Sequence, residues 1–129
     1  MLTWIAAVLV LYLAQIYLST AIYMPAEGIK QHMAGRDNLP EKGLYAGRAE
    51  RALTNLKENL PFFLVPAILS LTIRDVNLGQ AVLAAQIFFF ARVGYLICYL
   101  LAVPVVRSVL YFIGIAANVY AFMLLFGAG

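Results

Sequence analysis

The sequence predicts an all-α integral membrane protein, one domain built as a bundle of four transmembrane helices, and three observations carry that reading. Of its 129 residues, 64% are hydrophobic and only 12% charged, whereas soluble domains average about a quarter charged. Residues 2–24 hold no charged side chain at all. The polar residues gather instead between apolar stretches, with one long polar segment at residues 26–43. A chain of this length accommodates about four helices of roughly 20 residues, short connections and no separate soluble domain.

The first helix is expected over residues 2–24, with Trp4 near its outer end as an interfacial anchor and Pro25 permitting a kink or an end. That start lacks a basic leader, and its 23 uncharged residues exceed a signal peptide's apolar region, so it reads as a retained helix. Residues 26–43 combine Lys30, Arg36, Lys42, Glu27, Asp37 and Glu41 with Gly28, Gly35, Pro40 and Gly43, the composition of a solvated loop or frayed helix extension. His32, in the same loop, has no evident partner and reads as solvated. The second helix is expected over 44–73, a tight polar turn over 74–79, the third helix over 80–103 with Pro104 ending it, and the fourth over 105–126.

Charge and cysteine content exclude several classes. A formal charge of +3 without any Lys/Arg run argues against nucleic acid as a partner. Cys98 is the one cysteine, which rules out an intrachain disulfide and a cysteine-based zinc site, and no metal site is expected. The basic residues also set an orientation. Lys30, Arg36, Lys42, Arg48 and Arg107 fall on the side of the first and third connections, against Arg74 on the other, so both termini are expected outside the cytoplasm.

The second helix breaks the membrane pattern. Its apolar run, residues 60–73, rises only ~21 Å against a hydrocarbon core of roughly 30 Å, so it spans only by drawing its polar start into the bilayer. That start holds Arg48, Arg51, Asn55 and Glu58, which at about 100° per residue share one arc of about 80°. Intramembrane charges normally face a bundle interior or a cavity and mark function, though interhelical bridges of an assembly are the alternative. The third helix adds Arg92, Tyr95 and Tyr99 on one face, and the fourth adds Arg107, Ser108 and Tyr111. Arg92 and Glu58 lie at similar depth and could pair. Taken alone, Arg107 reads equally as a side chain snorkelling to headgroups and Ser108 as a hydrogen-bonding residue of the helix start. Together the three clusters converge on one leaflet as a cavity open to the cytoplasm. Several guanidiniums, a carboxylate and tyrosine hydroxyls suit a small zwitterion with more than one carboxylate. Glutathione fits that description, and its thiol needs a donor to be held as thiolate.

The residues Arg51-Ala52-x-x-Asn55-x-x-Glu58-Asn59-x-Pro61-Phe62, then Arg92-Val93 through Tyr99, then Pro104-x-x-Arg107-Ser108 and Tyr111 resemble the MAPEG family, the membrane-associated proteins of eicosanoid and glutathione metabolism, and its microsomal glutathione transferases in particular. The resemblance implies a homotrimer with glutathione between neighbouring subunits near the cytoplasmic face. It implies that Arg51, Asn55, Glu58, Arg92, Tyr99, Arg107 and Tyr111 bind or frame glutathione, and that Arg107, by charge, or Ser108, by hydrogen bonding, stabilises the thiolate. Some eicosanoid-forming members carry an additional Arg just before the helix-two Asn, where this chain has Thr54.

The expected function is therefore a glutathione-dependent transferase or peroxidase of the membrane, expected in a bacterial inner membrane because the loops are brief. Its second substrate would be a lipophilic electrophile or lipid hydroperoxide arriving from the bilayer lipid. Two other classes stand beside it. One is a non-catalytic binding or scaffold protein of the same fold. The other is a small proton-coupled transporter using Glu58, which fits less well because the charges cluster in one leaflet and no inverted repeat is evident.

Overall fold

A computed structural model of the chain describes residues 1–27 and 44–127. Those residues form four helices and no strand: α1 (Leu2–Glu27), α2 (Leu44–Thr72), α3 (Leu78–Leu100) and α4 (Pro104–Gly127). α1, α3 and α4 contain spans long and apolar enough to cross a membrane. α2 does not reach that apolarity, because Arg48, Glu50, Arg51, Lys57 and Glu58 crowd its first half. Its 29 residues make it ~43 Å long, enough to cross a ~30 Å core with part of the charged half included.

The helix ends depart from the sequence expectation for identifiable reasons. α1 passes Pro25 and ends at Glu27, as a proline this close to a helix end disturbs only the last turn. The rest of the expected polar loop, including Lys30, His32, Arg36 and Lys42, lies outside the described residues. α3 starts at Leu78 rather than 80, because the Asn77 side chain accepts a hydrogen bond from the Gln80 amide at 3.1 Å and caps the helix. α3 also stops at Leu100 rather than 103. Ala102 adopts a left-handed φ of 57°, the Val103 amide donates to the Cys98 carbonyl at 2.9 Å and the Ala102 amide to the Tyr99 carbonyl at 3.3 Å, the two bonds of a Schellman ending. Pro104 then opens α4 instead of merely ending α3, since its fixed φ and missing N–H suit a first helical position.

The short turns over 73–77 and 101–103 make α2, α3 and α4 successively antiparallel, so α2 and α4 run in the same direction. The core is built from Ile5, Val8, Leu56, Phe63, Ala67, Ala85, Phe88 and Ala117, with Phe63 and Phe88 stacked at 4.8 Å and 13°. Trp4 is half-buried and tilts against Phe89 and Phe90, both at 5.9 Å.

α3 and α4 form the most extensive helix pair, whereas α1 packs on α2 and α3 and, among the described residues, does not reach α4. Small residues allow the close α3–α4 approach, which in lipid is driven by van der Waals fit. A Cβ on Gly94 would stand 2.9 Å from Leu110 Cδ1, and one on Gly114 would stand 3.4 Å from Phe88. The absence of α1 from the α4 side leaves a flank between α2 and α4. Pro61 and Pro66 lie within α2 on that flank, and Pro66 has no N–H to give the Phe62 carbonyl one turn before it.

Two stability outcomes follow from this packing. Gly94→Val is expected to cost about 1–3 kcal/mol by overpacking, and adding Leu110→Ala should recover part of that loss in thermal unfolding of the detergent-solubilised protein. Simple additivity of the two would contradict the packing described. At the turn, Ala102→Val is expected to lower the same midpoint, because a β-branched side chain tolerates the left-handed region poorly, while Ala102→Gly should not lower it.

Candidate functional site

The polar row of α2 is divided by the helix's own geometry. The buried face consists of Ala46, Ala49, Ala52, Leu56, Asn59, Phe63, Pro66, Ala67 and Ser70, centred about 100° around the helix from the middle of the row. The row therefore lies at the edge of the packed face. Arg48 and Asn55, nearest that face, are half-buried, and Arg51 and Glu58 are exposed on the surface of the single chain.

Arg92 is the most deeply placed charge, only 2% exposed. Its Nη1 donates to Asn55 Oδ1 at 2.7 Å, and its Cζ lies 4.0 Å from the centre of the Tyr95 ring. Its Nε and Nη2 are buried without a hydrogen-bond partner. The Glu58–Arg92 pair that similar depth suggested is not formed, because Glu58 points away from the packed side of α2. Asn55 takes that place and is itself braced: Asn59 Nδ2 donates to the Asn55 carbonyl at 2.8 Å and to Asn55 Oδ1 at 3.4 Å.

Two turns further along α3, the Tyr99 ring joins three helices. Arg107 of α4 lies over it with Cζ at 4.4 Å from the ring centre, and Arg51 of α2 approaches at 5.8 Å. Guanidinium on an aromatic face is worth about 0.5–2 kcal/mol, more as water is excluded. Tyr95 connects this pair to Arg92, with its ring 5.7 Å from Tyr99 and 6.3 Å from Tyr111. Arg51, Asn55, Arg92, Tyr95, Tyr99, Arg107 and Tyr111 thus form one continuous cluster. Ser108 is exposed and makes no hydrogen bond among the described residues. It sits one turn inside α4, so it is not a helix cap.

Arg48 has a different task. Its Nη1 donates to the Leu100 carbonyl at 3.0 Å, so it satisfies an end carbonyl of α3 and places a cation at the negative end of that helix. Arg51, Arg92 and Arg107, in contrast, form no ion pair with a carboxylate among the described residues. Three guanidiniums with no carboxylate partner among the described residues suit an anion, and their planar forks favour carboxylate or phosphate.

Below this array, a cleft of about 670 Å³ runs between α2 and α4. Pro61, Phe62, Val65 and Pro66 form one wall and Ile115, Val119 and Phe122 the other, with Tyr111, Asn59 and Asn118 as its polar members. Tyr111 belongs to both parts, joining the charged cluster to the apolar cleft. The size and the apolar lining with a few polar groups are those of a small-molecule site.

Sequence reasoning passed over two of the buried polar groups. Gln15 is 2% exposed with neither end of its amide partnered, and Asn118 is 7% exposed with an unpartnered Nδ2. The signal was present in both cases, an amide within an otherwise apolar span, with Tyr12 and Ser19 one turn to either side of Gln15 and Tyr111 two turns before Asn118.

The model of the MAPEG family matches residues 1–127 of the 129. Neither a curated protein nor a solved structure matches the chain. An all-helical chain with three apolar spans, a fourth helix bearing the Arg51–Asn55–Glu58 row, and a match over nearly its whole length is a membrane helix bundle of the glutathione and eicosanoid metabolism kind: the chain belongs to the MAPEG family.

Proposed function

We propose that the protein is a membrane-embedded, glutathione-dependent transferase or peroxidase that works as a homotrimer. The observation that carries this reading is the Tyr99 ring approached by both Arg51 and Arg107, with nearby Tyr111 lining an apolar cleft. A soluble thiol and a lipophilic acceptor need those two environments at one place.

Glutathione presents two carboxylates and an ammonium. Arg51 and Arg107 take carboxylate oxygens, Glu58 takes the ammonium, and Tyr99 and Tyr111 donate hydroxyl protons. Arg92 frames the site from behind by holding Asn55 in place. Arg51, Glu58 and Ser108 stand on the surface of the single subunit, where a neighbouring subunit in a trimer would close the site over them. Arg107 favours the thiolate by its charge, or Ser108 does so by donating its hydroxyl proton. The thiolate then attacks an electrophilic carbon, and as the C–S bond forms the carbon–halogen bond of an aryl halide breaks and halide leaves, giving a thioether. With a lipid hydroperoxide it attacks the terminal oxygen, the S–O bond forming as the O–O bond breaks; the alkoxide takes a proton from solvent and leaves as an alcohol, and a second glutathione attacks the sulfenic sulfur to form the disulfide and release water.

The distribution of Lys and Arg supports a site near the cytoplasmic face, with both termini on the far side of a bacterial inner membrane. A second reading, a non-catalytic scaffold, draws on a specific observation: Arg48 and Arg92 already have partners inside the chain. The two readings separate on one experiment. Arg51→Ala and Arg107→Ala are each expected to cut turnover with glutathione and an aryl-halide electrophile by about 100-fold or more, the usual effect of removing one charge-stabilising donor, while the assembly elutes unchanged in size-exclusion chromatography. Full activity in both variants contradicts the enzyme reading, and loss of assembly with no activity in the parent favours the scaffold.

A further inference from the structure

Two nitrogens of Arg92 and its charge are left over from the contacts already described. Nη1 goes to Asn55 and the flat face to Tyr95, but Nε and Nη2 are buried with no hydrogen-bond partner, and no carboxylate among the described residues pairs with the group. Gln15 of α1 is in the same condition, 2% exposed with both Nε2 and Oε1 unpartnered. The two face one interior. Trp4 touches Phe89 and Phe90 of α3, and Gln15 follows Trp4 by three turns, within about 20° of the same edge of α1. Successive membrane crossings alternate in direction, so α1 and α3 run parallel. Gln15 is therefore ~16 Å beyond the Trp4 contact, and the guanidinium, lying at the Tyr95 ring, is ~8 Å beyond it. Helical side chains lean toward their own N-terminus, which brings the Gln15 amide back toward Arg92. The remaining gap is too wide for a direct bond and suits one small ion between two donors, a span of ~6 Å.

We propose that Arg92 and Gln15 enclose a small monovalent anion of the halide class in the interior between α1, α2 and α3. The Nε and Nη2 edge of a guanidinium takes an anion side-on, and the Gln15 amide donates to it through Nε2 and turns Oε1 away. A water molecule would supply the hydrogen bonds and leave the charge uncompensated, whereas an anion supplies both, and a buried charge is retained where it is paired. The ion must be small. Both groups are closed off within the single chain, and α1 does not reach α4 among the described residues, so the site lies apart from the Arg51 and Arg107 guanidiniums and no carboxylate of a larger ligand enters it. Neutralised in this way, Arg92 can hold Asn55 and with it the register of α2 on α3. The inference stands independently of the glutathione reading, which concerns the other side of that register.

The test is thermal unfolding of the full chain in a non-ionic detergent without any thiol, with potassium gluconate replaced stepwise by potassium chloride at constant ionic strength. The parent midpoint is expected to rise saturably, by about 4 °C once chloride is tenfold above its half-saturating concentration. Gln15→Leu removes a buried unpaired amide and so does not threaten folding; it should need about tenfold more chloride for the same rise, the effect of one lost hydrogen bond to a charged group. Gln15→Glu supplies the negative charge from within the chain, so its midpoint should already be raised in gluconate and gain nothing from chloride. A parent midpoint indifferent to chloride overturns the proposal and is the result expected of a bridging water. A chloride response that Gln15→Leu leaves unchanged overturns it as well, because the ion then binds elsewhere, and so does a Gln15→Glu protein that responds as the parent does.

Discussion

Arg92 cannot give up its charge, yet it is enclosed in a bundle made largely of alanine and phenylalanine. The rest of the polar arrangement depends on how that guanidinium is accommodated. One donor goes to Asn55 across the α2–α3 interface and the flat face rests on Tyr95. Asn55 is in turn held by Asn59, so the registration of α2 against α3 is specified by hydrogen bonds at a level where the surrounding apolar contacts would tolerate sliding. In a membrane, a polar bond between helices has few competing partners and is retained where it sets register.

That registration has consequences along the helix pair. With Asn55 fixed opposite Arg92, Arg51 one turn earlier is brought to Tyr99, and Arg48 one turn earlier again reaches the end carbonyl at Leu100. The tight Schellman turn then returns the chain so that Arg107 covers the same Tyr99 ring. Two arginines and an asparagine spaced along one edge of α2 thereby serve three purposes: Arg48 closes a helix end, Arg51 faces an aromatic ring and Asn55 holds a buried charge. The proposed glutathione site occupies the part of this array that has no carboxylate partner among the described residues.

Much of this was legible in the sequence. The four helices followed from composition and from the positions of Pro25, the 74–79 turn and Pro104. The α2 row, Arg92 with Tyr95 and Tyr99, and Arg107 with Tyr111 were visible as helical spacing, and the structure joins them. Helix periodicity, however, gives the side of a helix without giving what that side meets. Glu58 shares the row's arc but falls on its outer edge, so depth alone suggested a pair with Arg92 that Asn55 makes instead. Ser108, adjacent to Arg107, points elsewhere because neighbours on a helix diverge by about 100°. Asn118 and Gln15 were illegible for another reason: a single amide carries no periodicity, and its importance emerges only when the packing shows it buried and unpartnered. The left-handed Ala102 likewise had no glycine to announce it.

On the proposed reading, the guanidiniums around Tyr99, which have no carboxylate partner among the described residues, bind glutathione and hold its sulfur as thiolate. An ultraviolet difference spectrum on titrating glutathione into the purified protein at neutral pH tests binding and activation together. The account predicts a saturable rise in thiolate absorbance that is reduced in Arg107→Ala or Ser108→Ala, the affected variant naming the stabilising group, and abolished in Arg51→Ala at the same glutathione concentration. Glutathione that binds to saturation without any thiolate signal, or no saturable change at all, would contradict it.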